Sequence, residues 1–337
     1  MRKNLFVTAI FLILFIALNI LLPPHKPIVS STDLPNTKEI ITVENPVPIT
    51  EPLYEDIAAF NPSSYNFPKL NAATEATESF DEELYLELMD LLGENINNVG
   101  LVYYNFSTKK YVNINENMDF DAASTYKVGL NLLYYYYAAE GEIDLSEPLT
   151  YYDYFYEDGT GILSGYCYSG MEIPIANLLD LSIIYSDNIA TAMLSYNLGG
   201  YNAVREQLYS LLNINYTLYE NLLTPAISAE ILKYVYFNQD IPGFSHLIST
   251  MRTTIFHDRL DRDIPHYLVA HKIGSIDSYV HDIGIVFTDD PYLISIYTVD
   301  LYNSDDIIAS LSKIIYNKNT STIQYFKKNE TSTLSIN

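Results

Sequence analysis

The segments STYK at residues 124–127, SDN at residues 186–188 and HKIGS at residues 271–275 give the first indication of the fold and chemistry of this chain. Each is weak evidence alone, because S-x-x-K also occurs at residues 107–110 and 310–313 and Ser, Asp and Asn are common helix caps. Their order and wide spacing make the combination specific. It describes a serine one helical turn from a lysine, a polar loop facing it, and a cationic strand beside it.

The apolar periodicity around these segments predicts an α+β fold. Strands near both ends of the folded region, with helices between them, imply one antiparallel sheet assembled from distant parts of the chain. The first and last helices are expected to cover one face of the sheet, and the helical middle to form a second lobe. The predicted helices cover residues 81–92, 127–139, 174–185, 189–196, 201–212, 225–237 and 304–316, and the predicted strands cover residues 99–106, 110–114, 267–273, 280–288 and 292–299.

The N-terminal region indicates export from the cytoplasm. Arg2 and Lys3 precede an apolar run over residues 5–22, and such a cationic end stays in the cytoplasm, which places the following chain outside. Because no A-x-A cleavage motif follows, we favour an uncleaved membrane anchor over a cleaved signal peptide. The expected organisation is an anchor or signal at residues 1–22, a proline-rich linker at 23–78, a folded domain at 79–318 and a polar tail at 319–337.

The composition excludes several classes of protein. With 42 acidic and 18 basic residues, the formal net charge is −24, so a nucleic-acid backbone would repel the chain. Cys167 is the only cysteine, which rules out an intrachain disulfide and a cysteine-rich zinc site. We predict no cofactor and no metal ion, and we expect a monomer.

The residues of the three motifs suit nucleophilic catalysis. Ser124 and Lys127 lie three residues apart, so a helix places them on one face. A serine hydroxyl is a poor nucleophile until a base takes its proton, and a lysine serves as that base if burial or a nearby cation such as Lys272 lowers its pKa. The start of a helix also offers backbone N–H groups to a developing oxyanion.

Further segments extend the pattern: LGG at residues 198–200, AHK at residues 270–272 and DIGIV at residues 282–286. With them, residues 80–316 resemble the class A β-lactamase-like serine hydrolases, which share their fold with the D,D-peptidases. The resemblance implies an enzyme acylated by β-lactams or by D-Ala-type peptides of the cell wall. Sequence alone leaves these two substrate classes open.

The resemblance also implies roles for individual residues. Ser124 would be the acylated nucleophile and Lys127 its base. Ser186 would pass a proton to the leaving nitrogen. Lys272 would polarise Ser186 and attract the substrate carboxylate.

Three residues would bind the substrate. Asn188 would hydrogen-bond the amide carbonyl of the substrate. The backbone N–H groups of Ser124 and Ser275 would form the oxyanion hole, and Gly274 belongs to the same substrate-binding segment.

Two departures from the family pattern concern the substrate carboxylate and the release of the acyl group. Ile273 stands where the family has threonine or serine, and the hydroxyl of Ser275 is the candidate substitute. Glu220 is the only acid in the short stretch 212–225, but it lacks the E-x-x-L-N context of the family's deacylating glutamate. We therefore expect slow deacylation, and Glu220 is either the base or an ordinary solvated loop residue.

The histidines suggest a different class of enzyme. His246 and the pairs at residues 257–258 and 281–282, each His-Asp, would fit a metal-dependent phosphohydrolase of the HD type. That chemistry needs ligands clustered on helices, whereas residues 281–282 begin a predicted strand and no H-x₃-H or H-E-x-x-H spacing occurs. The sequence therefore argues against this class.

A non-catalytic alternative is an anchored domain that binds peptidoglycan or a partner protein. Ile273 and the incomplete loop favour it, and the intact serine, lysine and asparagine residues of the motifs oppose it. The segment DGTG at residues 158–161 lacks the lysine of a phosphate-binding loop. We expect it to be a loop near the mouth of the cleft.

Overall fold

The computed structural model describes residues 77–215 and 221–334, with side chains described through residue 320. Residues 1–76 lie outside these ranges, so the predicted anchor or signal and nearly all of the predicted linker are not described. Across the described ranges, no helix is both long enough and apolar enough to cross a membrane.

The described residues form ten strands and eight α-helices. The strands are β1 (Ser79–Phe80), β2 (Val99–Asn105), β3 (Lys110–Ile114), β4 (Phe120–Asp121), β5 (Pro148–Thr150), β6 (Glu172–Pro174), β7 (Leu222–Leu223), β8 (Val269–Ile276), β9 (Tyr279–Val286) and β10 (Tyr292–Val299). The helices are α1 (Glu82–Leu92), α2 (Lys127–Ala139), α3 (Ile175–Ile184), α4 (Asn188–Asn197), α5 (Tyr201–Leu211), α6 (Pro225–Phe237), α7 (Pro242–Arg252) and α8 (Ser304–Leu334).

Six strands form the central sheet in the order β1-β3-β2-β10-β9-β8. Neighbouring strands are antiparallel except β1 and β3, which run parallel. Because β2 pairs with β10, the sheet joins the two ends of the domain. The predicted α+β architecture is therefore confirmed, with the short parallel strand β1 as an addition to it.

The first and last helices cover one face of the sheet, as predicted. Leu84, Leu88 and Leu92 recur every four residues in α1 and are buried against this face, because that spacing places them on one side of a helix. Ile308 and Ile315 of α8 are fully buried in the same core. The two helices and this face of the sheet thus share one apolar layer.

Helices α2 to α7 form the second lobe against the opposite face. Helix α2 lies at its centre, since Val128, Leu130, Leu132 and Leu133 point to different sides of the helix and are all fully buried. A helix that is apolar on all sides is one surrounded by other elements. The predicted helical middle is confirmed, although the sequence did not resolve α7 as a separate helix.

The C-terminal helix is longer than predicted. We placed its end at residue 316 and a polar tail after residue 318, whereas α8 continues to Leu334. Polar contacts are part of the reason that the helix continues. Asn319 accepts hydrogen bonds from Tyr103 Oη at 3.0 Å and Asn105 Nδ2 at 2.8 Å. Such polar contacts leave no apolar periodicity in the sequence, so no helix was predicted after residue 316.

Two short pairs of strands lie outside the central sheet. Strand β4 pairs with β7 through Phe120↔Leu223 and Asp121↔Leu222, and β5 pairs with β6. Pairs of two or three residues leave no periodic pattern in the sequence, and they were not predicted. The β4–β7 pair holds the chain immediately before residue 124.

Candidate active site

Ser124 lies in a 3₁₀ turn, Ala123–Tyr126, that leads directly into α2. The sequence predicted a serine at the start of the helix, and the turn places it just ahead of that helix. Ala123 has φ +46°, a left-handed conformation that is strained for a residue with a side chain. Its N–H is held by Asp121 Oδ1 at 2.9 Å, and Ser124 lines the adjacent cleft of about 410 Å³.

Lys127 is the best-placed base in this cleft. Its side chain is buried, and its Nζ donates to the Ser186 carbonyl oxygen at 2.7 Å and to Asn188 Oδ1 at 2.8 Å. Burial lowers the pKa of Lys127 to about 7, although Asp187 and Glu157 act in the opposite direction. A large fraction of Lys127 is therefore neutral near pH 7 and able to accept a proton.

The hydroxyl of Ser186 lies between two lysines. Its Oγ accepts from Lys127 Nζ at 3.2 Å and from Lys272 Nζ at 2.9 Å. Lys272 is fully buried, and burial, together with the charges of Lys127 and Arg259, lowers its pKa well below the ordinary value. Because both lysines donate to Oγ, the proton of Ser186 is free to move toward a substrate.

Asp187 supports the SDN segment rather than facing the cleft. Its Oδ1 caps α4 by accepting from Ala190 N at 2.9 Å, and its Oδ2 accepts from Ile162 N at 2.7 Å and Leu163 N at 2.8 Å. Ser186 has φ +52°, so this anchoring holds a strained turn. The prediction of a helix cap in SDN is confirmed for Asp187, and the catalytic roles of Ser186 and Asn188 stay predictions.

The predicted loop at residues 158–161 lies against this turn, as expected. Asn188 Nδ2 donates to the Asp158 carbonyl oxygen at 2.7 Å, and Thr160 Oγ1 donates to the Ser186 carbonyl oxygen at 2.7 Å. An amide nitrogen carries two hydrogens. Asn188 thus has one donor left for the amide carbonyl of a substrate.

Strand β8 approaches the serine turn closely at Gly274. A Cβ added there would lie 2.9 Å from the Ala122 carbonyl oxygen and 3.0 Å from the Ser124 nitrogen. Because both are backbone atoms, only glycine fits. The next residue, Ser275, lines the same cleft as Ser124. The structure therefore brings the two predicted oxyanion-hole residues to one place.

Arg259 is a cation at this site that the sequence analysis missed. It is 5% exposed, and it donates to the Gly274 carbonyl oxygen at 3.1 Å, the His281 carbonyl oxygen at 2.8 Å and Ser275 Oγ at 2.7 Å. It lies in an irregular segment without a motif. Its contact with Ser275 strengthens the expectation that this hydroxyl compensates for Ile273.

The acidic residues of the site differ from expectation. Glu220, the predicted candidate for deacylation, lies outside the described residues. Within the described part of the cleft, Glu157 is the one carboxylate in the lining, and it accepts a hydrogen bond from Tyr201 Oη. Nothing in the sequence marked Glu157, since it precedes the SDN segment in an irregular region.

Comparison with known proteins agrees with this arrangement. The model of the Beta-lactamase enzyme family matches residues 83–319. No curated protein sequence matches the chain significantly.

Solved structures share the fold. PBP-A is 22% identical over 74% of this chain and 100% of its own, with a TM-score of 0.67. A PBP-A variant solved as an acyl-enzyme complex with penicillin G is 23% identical over 72% of this chain and 98% of its own, also with a TM-score of 0.67. A β-lactamase from Sphaerobacter thermophilus is 21% identical over 70% of this chain and 96% of its own, with a TM-score of 0.61. The chain therefore belongs to the Beta-lactamase enzyme family of serine hydrolases.

Proposed function

We propose that Ser124 is acylated by β-lactams or by D-Ala-type peptides of the cell wall, and that the acyl group leaves slowly. The observation that carries the proposal is the position of Lys127. It is buried, has a pKa lowered to about 7, and lies one turn from Ser124, where it donates to Ser186 and Asn188 of the SDN motif. A domain that only binds a partner has no need of such a base.

The positions of these side chains support acylation in the following steps. Neutral Lys127 takes the hydroxyl proton of Ser124, whose oxygen attacks the substrate carbonyl. The N–H groups of Ser124 and Ser275 stabilise the oxyanion. Ser186 then gives its proton to the leaving nitrogen, and Lys127 or Lys272 replaces that proton through the hydrogen bonds at 3.2 and 2.9 Å.

The hydrogen-bond donors beside the serine support this substrate class. Lys272 and Arg259 are both buried at β8, and Arg259 holds the hydroxyl of Ser275. Arg259 is paired with Asp305 at 2.7 Å and burial disfavours the charge on Lys272, but the N–H groups of both side chains can donate hydrogen bonds to an anionic group. Penicillins and D-Ala-terminated peptides both carry a carboxylate next to the bond that is attacked, so both fit.

The described acidic residues support slow deacylation. Hydrolysis of the acyl-enzyme needs a carboxylate that positions water, and the carboxylate of Glu157 is already bound to Tyr201 Oη. Loss of a general base costs a factor of about 10²–10⁴, or roughly 3–5 kcal/mol of barrier. The protein would then behave more as a penicillin-binding protein than as a resistance enzyme.

Intact-protein mass spectrometry after exposure to a penicillin tests the proposal. We expect a lasting adduct of one drug molecule that maps to Ser124 and is lost in Ser124→Ala. Ser310→Ala is the matched control, because it removes the serine of another S-x-x-K segment, and it should label normally. Absence of an adduct with both penicillins and peptide substrates would instead support the non-catalytic alternative.

The cellular location is also proposed. The cationic residues before the apolar run at residues 5–22 support an uncleaved anchor that places the domain outside the cytoplasm. This location suits a substrate in the cell wall.

A further inference from the structure

A second cluster of titratable side chains lies on the sheet face opposite the active site. His271 and Lys272 are neighbours on β8, so their side chains point to opposite faces of the sheet. Lys272 reaches Ser186, whereas His271 contacts Asp282 and Asp261. The acyl-transfer chemistry makes no use of this cluster.

Three histidines surround one carboxylate oxygen in the cluster. Asp261 Oδ2 lies 2.5 Å from His257 Nδ1, 2.9 Å from His266 Nδ1 and 3.4 Å from His271 Nε2. The ligand atoms of His257, Asp261 and His271 all lie within 4.8 Å of one another. Side chains that can each bind a metal ion therefore converge on one point.

Two buried atoms of the cluster have no hydrogen-bond partner among the described residues: His271 Nε2 and Asp261 Oδ1. Both side chains are 1% exposed, and a buried polar atom left unpaired is costly. Nε2 lies 3.4 Å from the other carboxylate oxygen, Oδ2, and therefore still needs a partner at shorter distance. A cation would supply it.

The other nitrogen of His271 is already fixed. Nδ1 lies 3.0 and 2.9 Å from the two carboxylate oxygens of Asp282, and Asp282 Oδ2 also accepts from Leu260 N at 3.0 Å. With the Nδ1 proton donated to Asp282, Nε2 faces Asp261 Oδ2 at 3.4 Å and binds either a proton or a metal ion. A carboxylate behind a histidine in this way is typical of metal ligands.

We propose that His257, Asp261 and His271 bind one Zn²⁺ ion, with His266 as the fourth ligand. Three imidazoles and one carboxylate form a ligand set that zinc favours in tetrahedral geometry. The ion would link the segment between α7 and β8 to strand β8, so the role of the zinc ion would be structural.

A proton competes with the metal for Nε2. Burial opposes a charge on His271, but the carboxylates of Asp282 and Asp261 outweigh burial and raise its pKa to about 10. Zinc binding displaces this proton. The alternative to the metal site is therefore a buried imidazolium between two carboxylates.

The sequence argued against a metal because the ligands follow no known spacing. His257 and Asp261 are one helical turn apart in number, but they lie in an irregular segment, and His271 is on a strand. Only the packing of that segment against β8 brings them together. The arrangement also differs from the HD-type site considered above, since His246 binds Asp180 elsewhere.

Metal binding to the chelator-treated protein tests the proposal directly. Titration with Zn²⁺ should show one equivalent bound per chain, and Co²⁺ should give the visible absorption of a tetrahedral site. Zinc in excess should raise the melting temperature by about 5 °C or more, because it binds only the folded state.

Variants separate this site from adventitious binding. His257→Ala/His266→Ala removes two side chains that are 43% and 58% exposed, so the fold should persist while the affinity for Zn²⁺ falls at least tenfold. His246→Ala is the matched control and should keep one equivalent. No stoichiometric binding by the unaltered protein, or unchanged binding by the double variant, would overturn the proposal. Neither readout depends on acylation of Ser124.

Discussion

The hydroxyl of Ser186 is the point where the site's two buried lysines meet. Lys127 and Lys272 both donate to it, and each is buried enough to disfavour its charged form. Two neighbouring cations in a buried site cannot both remain protonated without cost. The pair therefore provides two lysines that can exchange a proton with the hydroxyl of Ser186.

Acylation should depend on pH through Lys127. The base must be neutral, and its pKa is lowered to about 7, so the rate of acylation should fall about tenfold per pH unit below that value and level off above it. Lys127→Ala should lower the rate by about 10²–10⁴. Lys233→Ala, at a lysine paired with Glu230 outside the cleft, serves as the control. A pH-independent rate would exclude Lys127 as the base.

Gly274→Ala should slow acylation, with little change in the structure away from this contact. The added Cβ would meet backbone atoms of Ala122 and Ser124, so the oxyanion donors must separate. Displacing one such donor costs about 10²–10³ in rate. Gly165→Ala is a matched control, because a Cβ there meets no atom within 4 Å. Equal acylation rates in the two variants would show that the close approach is irrelevant.

At the scale of elements, helix α4 and the loop at residues 158–161 support the site together. Asp187 caps the helix and binds Ile162 N and Leu163 N, while Thr160 holds the Ser186 carbonyl oxygen. These contacts maintain the positive φ of Ser186. The loop is thus part of the support of the catalytic residues.

Asp187→Ala should destabilise the protein by about 2–4 kcal/mol, from loss of a helix cap and of an acceptor for two backbone N–H groups. Asp144→Ala is the comparison, because Asp144 also accepts a backbone N–H, from Ser146, but is exposed. It should change stability by less than about 0.5 kcal/mol. Urea unfolding measures both, and similar values would mean that Asp187 is not the anchor of this turn.

The elements that sequence could predict are those with a long apolar period. Helix α1 with its leucines and strands β2, β9 and β10 belong to this group. The motif residues Ser124 and Lys127 were identified from their spacing instead. Arg259 and Glu157 were missed because each joins the site through tertiary contacts from an irregular segment. The continuation of α8 was missed because the bonds of Asn319 are polar.

At the scale of the whole molecule, the family domain and the N-terminal region differ in composition. The Beta-lactamase family match begins at residue 83, and nine of the 15 prolines fall between Pro23 and Pro68. A segment of that composition buries little apolar surface. The domain and the proposed anchor should therefore be separable.

Protease added outside intact cells should cut between residues 23 and 77 and release a domain that still reacts with penicillin. The reason is that the domain's backbone is protected by its sheet and helices, and proteases cut preferentially in exposed segments outside such a fold. Mass spectrometry of the released fragment identifies the cut. Recovery of the protein in the medium, already shortened near residue 22, would show a cleaved signal instead of an anchor.

In the proposed reaction, Ser124 is acylated readily and the acyl group leaves it slowly. Stopped-flow measurement with a chromogenic cephalosporin tests it most directly, because it resolves acylation from turnover. We predict a burst of one product per enzyme followed by a steady rate about 10²–10⁴ lower, as expected when no general base serves deacylation. Fast linear turnover without a burst would contradict the account, and loss of that turnover in Glu157→Gln or Glu220→Gln would identify the base.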